Sequence, residues 1–213
     1  MHFDLKGTKK ILFVGLGVLV LLFGIFIYFK LGHKGKNVLS ESKQRSSVSA
    51  HAKTFRGTNP PFDFTFEYPE SWKAHEVIKP QDFNMVQVRG PQDSRTKVIP
   101  GIFVTVRTVT VKMTPSEIAD AILKKEARIK GFKEILRKDD PIGGVKALRL
   151  IFQYVLPLPM RFANAKDTLV KRQEVYLLRK GKEYRISFWL TEEQYKIYKS
   201  DLNQALKTFK FLD

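Results

Sequence analysis

One uncharged stretch, Ile11 to Phe29 (ILFVGLGVLVLLFGIFIYF), constrains this chain more than any other feature. Its nineteen residues include a single polar side chain, Tyr28, near the end. At about 1.5 Å of rise per residue a helix of that length reaches ~28 Å, close to the ~30 Å hydrocarbon core of a bilayer. A helix that is apolar all round offers water no polar face, whereas in lipid it satisfies every backbone donor and acceptor internally. The stretch therefore predicts a single-pass transmembrane helix, with the lipid bilayer as its partner.

Basic residues mark both ends. Lys9 and Lys10 precede the run and Lys30, Lys34 and Lys36 come after it, which makes these five the candidates for contact with anionic headgroups. The run is too long for the apolar core of a signal peptide, and the small-x-small site Ala50-His51-Ala52 lies well beyond it. With no cysteine in the chain, a lipid-modified cysteine anchor is excluded. The helix is expected to be retained. Sidedness is balanced: the count of basic residues leans toward a cytoplasmic C-terminal domain, while a short tail before an uncleaved apolar run behaves as a signal anchor that exports the long C-terminal domain.

The chain divides into a basic tail (residues 1–10), the helix (11–29), a tether (30–57) and one folded domain (58–213). The net charge of +17 is spread unevenly. Residues 1–57 hold ten Lys and Arg against two acids, and the remainder holds twenty-eight against nineteen, so the region next to the bilayer is much the more basic per residue. The tether is rich in Ser, Lys and Gly and has no apolar period, which reads as flexible coil. The absence of cysteine also removes disulfides, thiol catalysis and thiolate metal sites.

Within the domain the periods alternate between two and 3.6. Phe62, Phe64, Phe66 and Tyr68 alternate with Asp63, Thr65 and Glu67 as in a half-buried strand. Strands are expected at 72–78, 85–89 and 102–111, the last with a shift of apolar parity that predicts a bulge or burial on both faces. Thr114-Pro115-Ser116-Glu117 opens a helix that should run to Lys130 and stop at Gly131. Strands at 132–137 and 145–156 come next, then an apolar loop, Pro157 to Phe162. A hairpin of 169–178 with 183–190 turns at residues 179–182, and a last helix starts at Thr191 with a Thr-Glu-Glu-Gln capping box. Its stripe is Tyr195, Tyr198, Leu202, Leu206 and Phe209. The fold class is α+β, an antiparallel β-sheet covered by α-helices.

Two places resemble the PsbP-type domains, the extrinsic photosystem II protein and its bacterial relatives. Phe64-Thr-Phe-Glu-Tyr-Pro-Glu-Ser-Trp72 is similar to their opening strand and turn, and Tyr184 to Leu190 leading to Phe209-Lys-Phe211 is similar to their ending. The resemblance spans most of residues 60–213. It implies an antiparallel sheet sandwiched by helices, an exported domain, and a non-catalytic role at a membrane protein complex. A retained helix departs from the cleaved signal or lipid anchor usual in that family.

Chemistry-bearing motifs are scarce. His75 is the domain's one histidine, and Glu76 beside it points to the opposite face of a strand, so the two cannot chelate together. Asp139-Asp140 lacks the spacing of a calcium loop and reads as turn chemistry. No cofactor or metal is expected, no enzyme motif is present, and no nucleic-acid recognition motif accompanies the basic charge. The candidates for partner contact are Met160, Arg161 and Phe162 in the apolar loop, and Arg185 with Trp189 on the strand face opposite Tyr184 and Phe188, a face a helix would cover by default. The expected role is a membrane-tethered binding or assembly module. The alternative is a basic domain gripping an anionic polymer or lipid headgroups.

Overall fold

A computed structural model describes residues 52–79, 83–109 and 113–212, all within one compact unit, Arg45–Asp213. The Ile11–Phe29 run and Lys9, Lys10, Lys30, Lys34 and Lys36 lie outside the described residues. Among the described residues, no helix is long and apolar enough to cross a membrane.

Ten strands and two helices are described. In chain order they are β1 (Ala52–Arg56), β2 (Phe64–Pro69), β3 (Lys73–Lys79), β4 (Phe83–Arg89), β5 (Gly101–Thr108), α1 (Pro115–Glu126), β6 (Lys133–Asp139), β7 (Ala147–Leu158), β8 (Lys166–Arg179), β9 (Lys182–Thr191), α2 (Glu192–Thr208) and β10 (Lys210–Phe211). A seven-stranded sheet runs β3-β4-β5-β9-β8-β7-β6, and a small one runs β1-β2-β10. Every pairing is antiparallel.

Both faces of the large sheet are covered, which explains why its central strands carry large side chains on each face. On one face Val86, Val104, Val175, Tyr184, Ile186 and Phe188 meet the small sheet and α2. On the other, Leu150, Phe152, Tyr154 and Val170 meet Ile118, Ala119 and Leu123 of α1. The alternation read from the sequence is realised in β9, where Tyr184, Ile186, Phe188 and Leu190 are all buried. Both helices begin with complete capping boxes, Thr114 with Glu117 and Thr191 with Gln194. The β8–β9 turn uses Lys180 and Gly181, both at positive φ, the mirror-image turn that suits the twist of a two-residue hairpin.

The small sheet is held on by aromatic rings. Phe209, just past α2, stacks on Phe64 at 5.2 Å, and Tyr184 meets Phe211 edge-on at 5.0 Å. Asp63 bonds both parts: its Oδ1 accepts from the Tyr184 hydroxyl at 2.7 Å, and its backbone carbonyl accepts from Leu212 N–H at 2.7 Å. Burial, and then the hydrogen bond to Asp63 and its charge, push the Tyr184 hydroxyl well above the ordinary tyrosine range. At the other end of β2, Trp72 packs so closely on Gly90 that an added Cβ there would lie 2.7 Å from the indole.

Several boundaries differ from the sequence reading. Residues 52–56, read as tether, form β1 and pair with β2, because Phe55 faces inward and the sheet supplies its backbone bonds. β5 pairs without a break against both β4 and β9, and buries one face only, with Ile102, Val104 and Val106; the expected bulge is absent from its described residues. A register shift lies instead between Glu134 and Leu136 of β6. α1 ends at Glu126, a turn earlier than read, and Pro157 and Leu158 belong to β7 rather than to a loop. Replacing Leu202, fully buried under the small sheet, by Ala is expected to destabilise the domain by about 2–5 kcal/mol in urea unfolding. Replacing Ile197, which is 54% exposed on the same helix, should change it by under about 0.5 kcal/mol.

Candidate functional site

The face of the large sheet beneath α1 holds the densest arrangement of charge among the described residues. Antiparallel register sets it up: Ser187 sits opposite Glu174, Arg185 opposite Tyr176, and Trp189 opposite Arg172. Side chains two apart on a strand share a face, so Arg172, Glu174 and Tyr176 of β8 line up beside Arg185, Ser187 and Trp189 of β9.

Glu174 has no solvent exposure. Arg185 binds it with two nitrogens, Nε to Oε2 at 2.6 Å and Nη2 to Oε1 at 2.9 Å. Ser187 Oγ donates to Oε2 at 2.7 Å, and Arg172 Nε donates to Oε1. Burial alone would raise the Glu174 carboxyl, but the two guanidiniums and the Arg185 and Ser187 hydrogen bonds outweigh it and hold the group at about 2. The same carboxylate keeps Arg185 charged against its own burial, and burial beside Glu174 pushes the Tyr176 hydroxyl far up. Arg172 reaches on to Glu126 at the end of α1, at 3.3 Å, and so ties the helix to the sheet. Arg137 does the same from β6, binding Asp120 at 2.6 Å and Ser116 at 2.5 Å.

Arg185 and Trp189 are therefore committed inward. Arg185 belongs to the Glu174 cluster, and Trp189 donates its indole N–H to the Tyr154 hydroxyl at 2.9 Å against the α1-side core. Neither presents its polar atoms as a free docking surface. The hub itself, Glu174, was not singled out from the sequence; the signal available was the opposite-charge pair Arg172 and Glu174 at the same parity as Val170 and Tyr176.

The apolar loop is placed differently. It closes the β7–β8 hairpin, with Met160 half-buried against the α1-side core, Arg161 exposed at φ +68, and Phe162 exposed by 53%. Lys130 ion-pairs with Asp167 at 2.5 Å, which puts the turn after α1 beside the hairpin. His75 is exposed, and Asp140 accepts from Lys138 and Arg149, each at 3.2 Å. Among the described residues no cluster of three or more His, Asp or Glu is placed to hold a metal.

An antiparallel sheet with helical and sheet cover on opposite faces defines an α+β domain. The chain matches the family described as PsbP-like protein over residues 14–211, and it belongs to that family. The solved structure of LpqN, involved in cell envelope biogenesis of Mycobacterium tuberculosis, has the same fold: TM-score 0.54 at 12% identity, over 76% of this chain and 91% of that one. PA94 of Pseudomonas aeruginosa, a protein of unknown function, aligns at 16% identity and TM-score 0.49, over 74% of this chain and 95% of its own. Cyanobacterial PsbP from Synechocystis sp. PCC 6803 aligns at 12% identity and TM-score 0.48, over 80% of this chain and 98% of its own. No curated protein matches the chain by sequence.

Replacing Glu174 by Gln strands two guanidiniums and should cost about 3–5 kcal/mol, measured by chemical denaturation. The folded-state value lies below the ordinary 4.5 of a glutamate, so this stabilisation is complete above about 4.5 and is lost as pH falls toward about 2. Acid titration of wild-type stability should show that loss, and the E174Q variant should lose the part of the slope due to this group.

Proposed function

We propose that this protein is a non-catalytic binding or assembly module, tethered to a membrane by Ile11–Phe29 and acting at a membrane protein complex. The observation that carries the reading is the pairing of an uncharged nineteen-residue run with a PsbP-like domain. The family match starts at residue 14 and so takes in most of the run together with the domain. The run suits a bilayer by length and by uniform apolarity. Family membership supports the non-catalytic assignment and an extracytoplasmic domain.

The charge economy of the domain fits a module of this kind. A general acid or base needs a pKa near working pH and access to substrate. Glu174 is the most strongly perturbed carboxylate, yet it is pushed down to about 2 and sealed by Arg172, Arg185 and Ser187, the properties of a structural hub. Lys9, Lys10, Lys30, Lys34 and Lys36 add headgroup attraction of about 1 kcal/mol for each residue at the surface.

Cross-linking the full chain in intact membranes, with the captured neighbours identified by mass spectrometry, is expected to recover one recurrent membrane protein complex. Recovery that persists at high salt supports docking on protein. Capture of anionic polymer alone, lost steeply as salt rises, would replace this reading with a polyanion-binding one. Turnover of a substrate abolished by a single point change would refute the non-catalytic assignment.

A further inference from the structure

The β7–β8 hairpin reaches beyond its neighbours. β7 and β8 pair as far as Leu158 with Lys166, whereas β9 leaves β8 at Val170 and β6 leaves β7 at Gln153. Four residues of β8, 166–169, thus extend past β9, about 13 Å at ~3.3 Å per residue, before the loop that carries Phe162. The turn after α1 supports the overhang: Val155 N–H donates to the Lys130 carbonyl at 2.8 Å, and Lys130 Nζ pairs with Asp167.

Charge gathers at the same place. Residues 124–133 and 157–167 contain seven Lys and Arg against two acids, Glu126 and Asp167. Both acids are already occupied, by Arg172 and by Lys130. Arg128, Lys130, Arg161 and Lys166 are exposed around an exposed phenyl ring and a half-buried methionine. An aromatic tip ringed by cations matches an interface with apolar chains below and anionic headgroups above.

The chain also enters the domain at this end. Ala52 of β1 pairs with Pro69, Trp72 N–H returns to the Pro69 carbonyl at 2.9 Å, and Trp72 lies on Gly90. Gly90 comes directly after β4, whose Arg89 pairs with the first residue of β5, at the sheet end where β9 stops and the hairpin overhangs. From β4 to β8 is about three strand spacings, or ~14 Å. A flexible linker of 22 residues, the number between the apolar run and β1, would span about 26 Å.

We propose that the β7–β8 tip and the adjoining turn after α1 form a docking surface for an anionic lipid bilayer, laying that end of the domain on the membrane that holds it. The proposal rests on the membrane-tether reading above. Phe162 enters the headgroup layer, Met160 backs it, and Arg128, Arg161 and Lys166 face lipid phosphates, with Lys130 holding the turn to Asp167. The tip then fixes the orientation of the domain, and the opposite end, with the β8–β9 turn and residues 139–146, faces outward.

The lack of cysteine makes the test direct. The full chain carrying Ala163→Cys, labelled with an environment-sensitive fluorophore, is reconstituted into vesicles of equal parts phosphatidylcholine and phosphatidylglycerol. Lys146→Cys, at the far end, serves as the control. The label at 163 is expected to be roughly threefold less accessible to acrylamide than the label at 146, and to be quenched by lipid-borne nitroxide. Adding R161S and F162S should abolish that protection while leaving the thermal transition in place. Vesicles that float with the chain but leave the 163 label as accessible as the 146 label overturn the docking surface alone. Equal protection in pure phosphatidylcholine overturns the role given to headgroup charge. A chain that fails to float with vesicles overturns the tether reading and this proposal together.

Discussion

A carboxylate shut away from water, Glu174, sets the terms for the α1 side of this domain. Desolvating that charge is tolerated because Arg172, Arg185 and Ser187 meet both of its oxygens. The arrangement works in one strand register. A one-residue slip of β9 would turn Ser187 and Arg185 to the opposite face, and a two-residue slip would remove Ser187 from its place across the ladder. The ionic cluster thus suits one alignment, and through Arg172 and Glu126 it ties the end of α1 to the sheet.

The opposite face obeys a different logic. There the sheet is aromatic and aliphatic, and α2 and the small sheet are held by burial. A buried phenyl ring contributes about 1.5–3 kcal/mol, and Phe62, Phe64, Phe66 and Phe209 are all nearly sealed. Polar ties at the seam keep α2 aligned with β2: Glu67 N–H donates to Thr208 Oγ1 at 2.9 Å, and Gln204 donates to Glu67 Oε2 at 2.8 Å. The consequence is positional. β2 brings β1, with which the described chain begins, to one end of the sheet, and β8, which carries Glu174, also carries the overhanging hairpin at that end.

Local signals were readable wherever a residue's neighbours in sequence decide its structure. Both capping boxes, the β8–β9 turn and the buried stripe of β9 come from spacing alone, as does the α+β class. Long-range pairing decided the rest. β1 has one inward residue, Phe55, and its remaining side chains are exposed, so nothing in its pattern separates it from coil until β2 lies beside it. Pro157 reads as a strand breaker, yet it sits on the overhang of β7, beyond the last β6 partner. Cover of the Arg185 face by a helix was the default reading of the sequence, but the acid that Arg185 binds lies on another strand, in a register the sequence does not spell out. Phe162 was legible as an apolar residue in a loop beside Arg161 and Lys166; what the sequence did not show is that Arg128 and Lys130, more than thirty positions away, are brought to the same place, as the Lys130–Asp167 pair shows.

The whole functional reading hangs on whether Ile11–Phe29 resides in lipid. Washing native membranes with alkaline carbonate strips proteins held by charge or by docking and leaves those held by a spanning helix. The intact chain is expected in the pellet, and a variant with V18K and L22R in the supernatant. Release of the intact chain by the wash would contradict the membrane tether at its root.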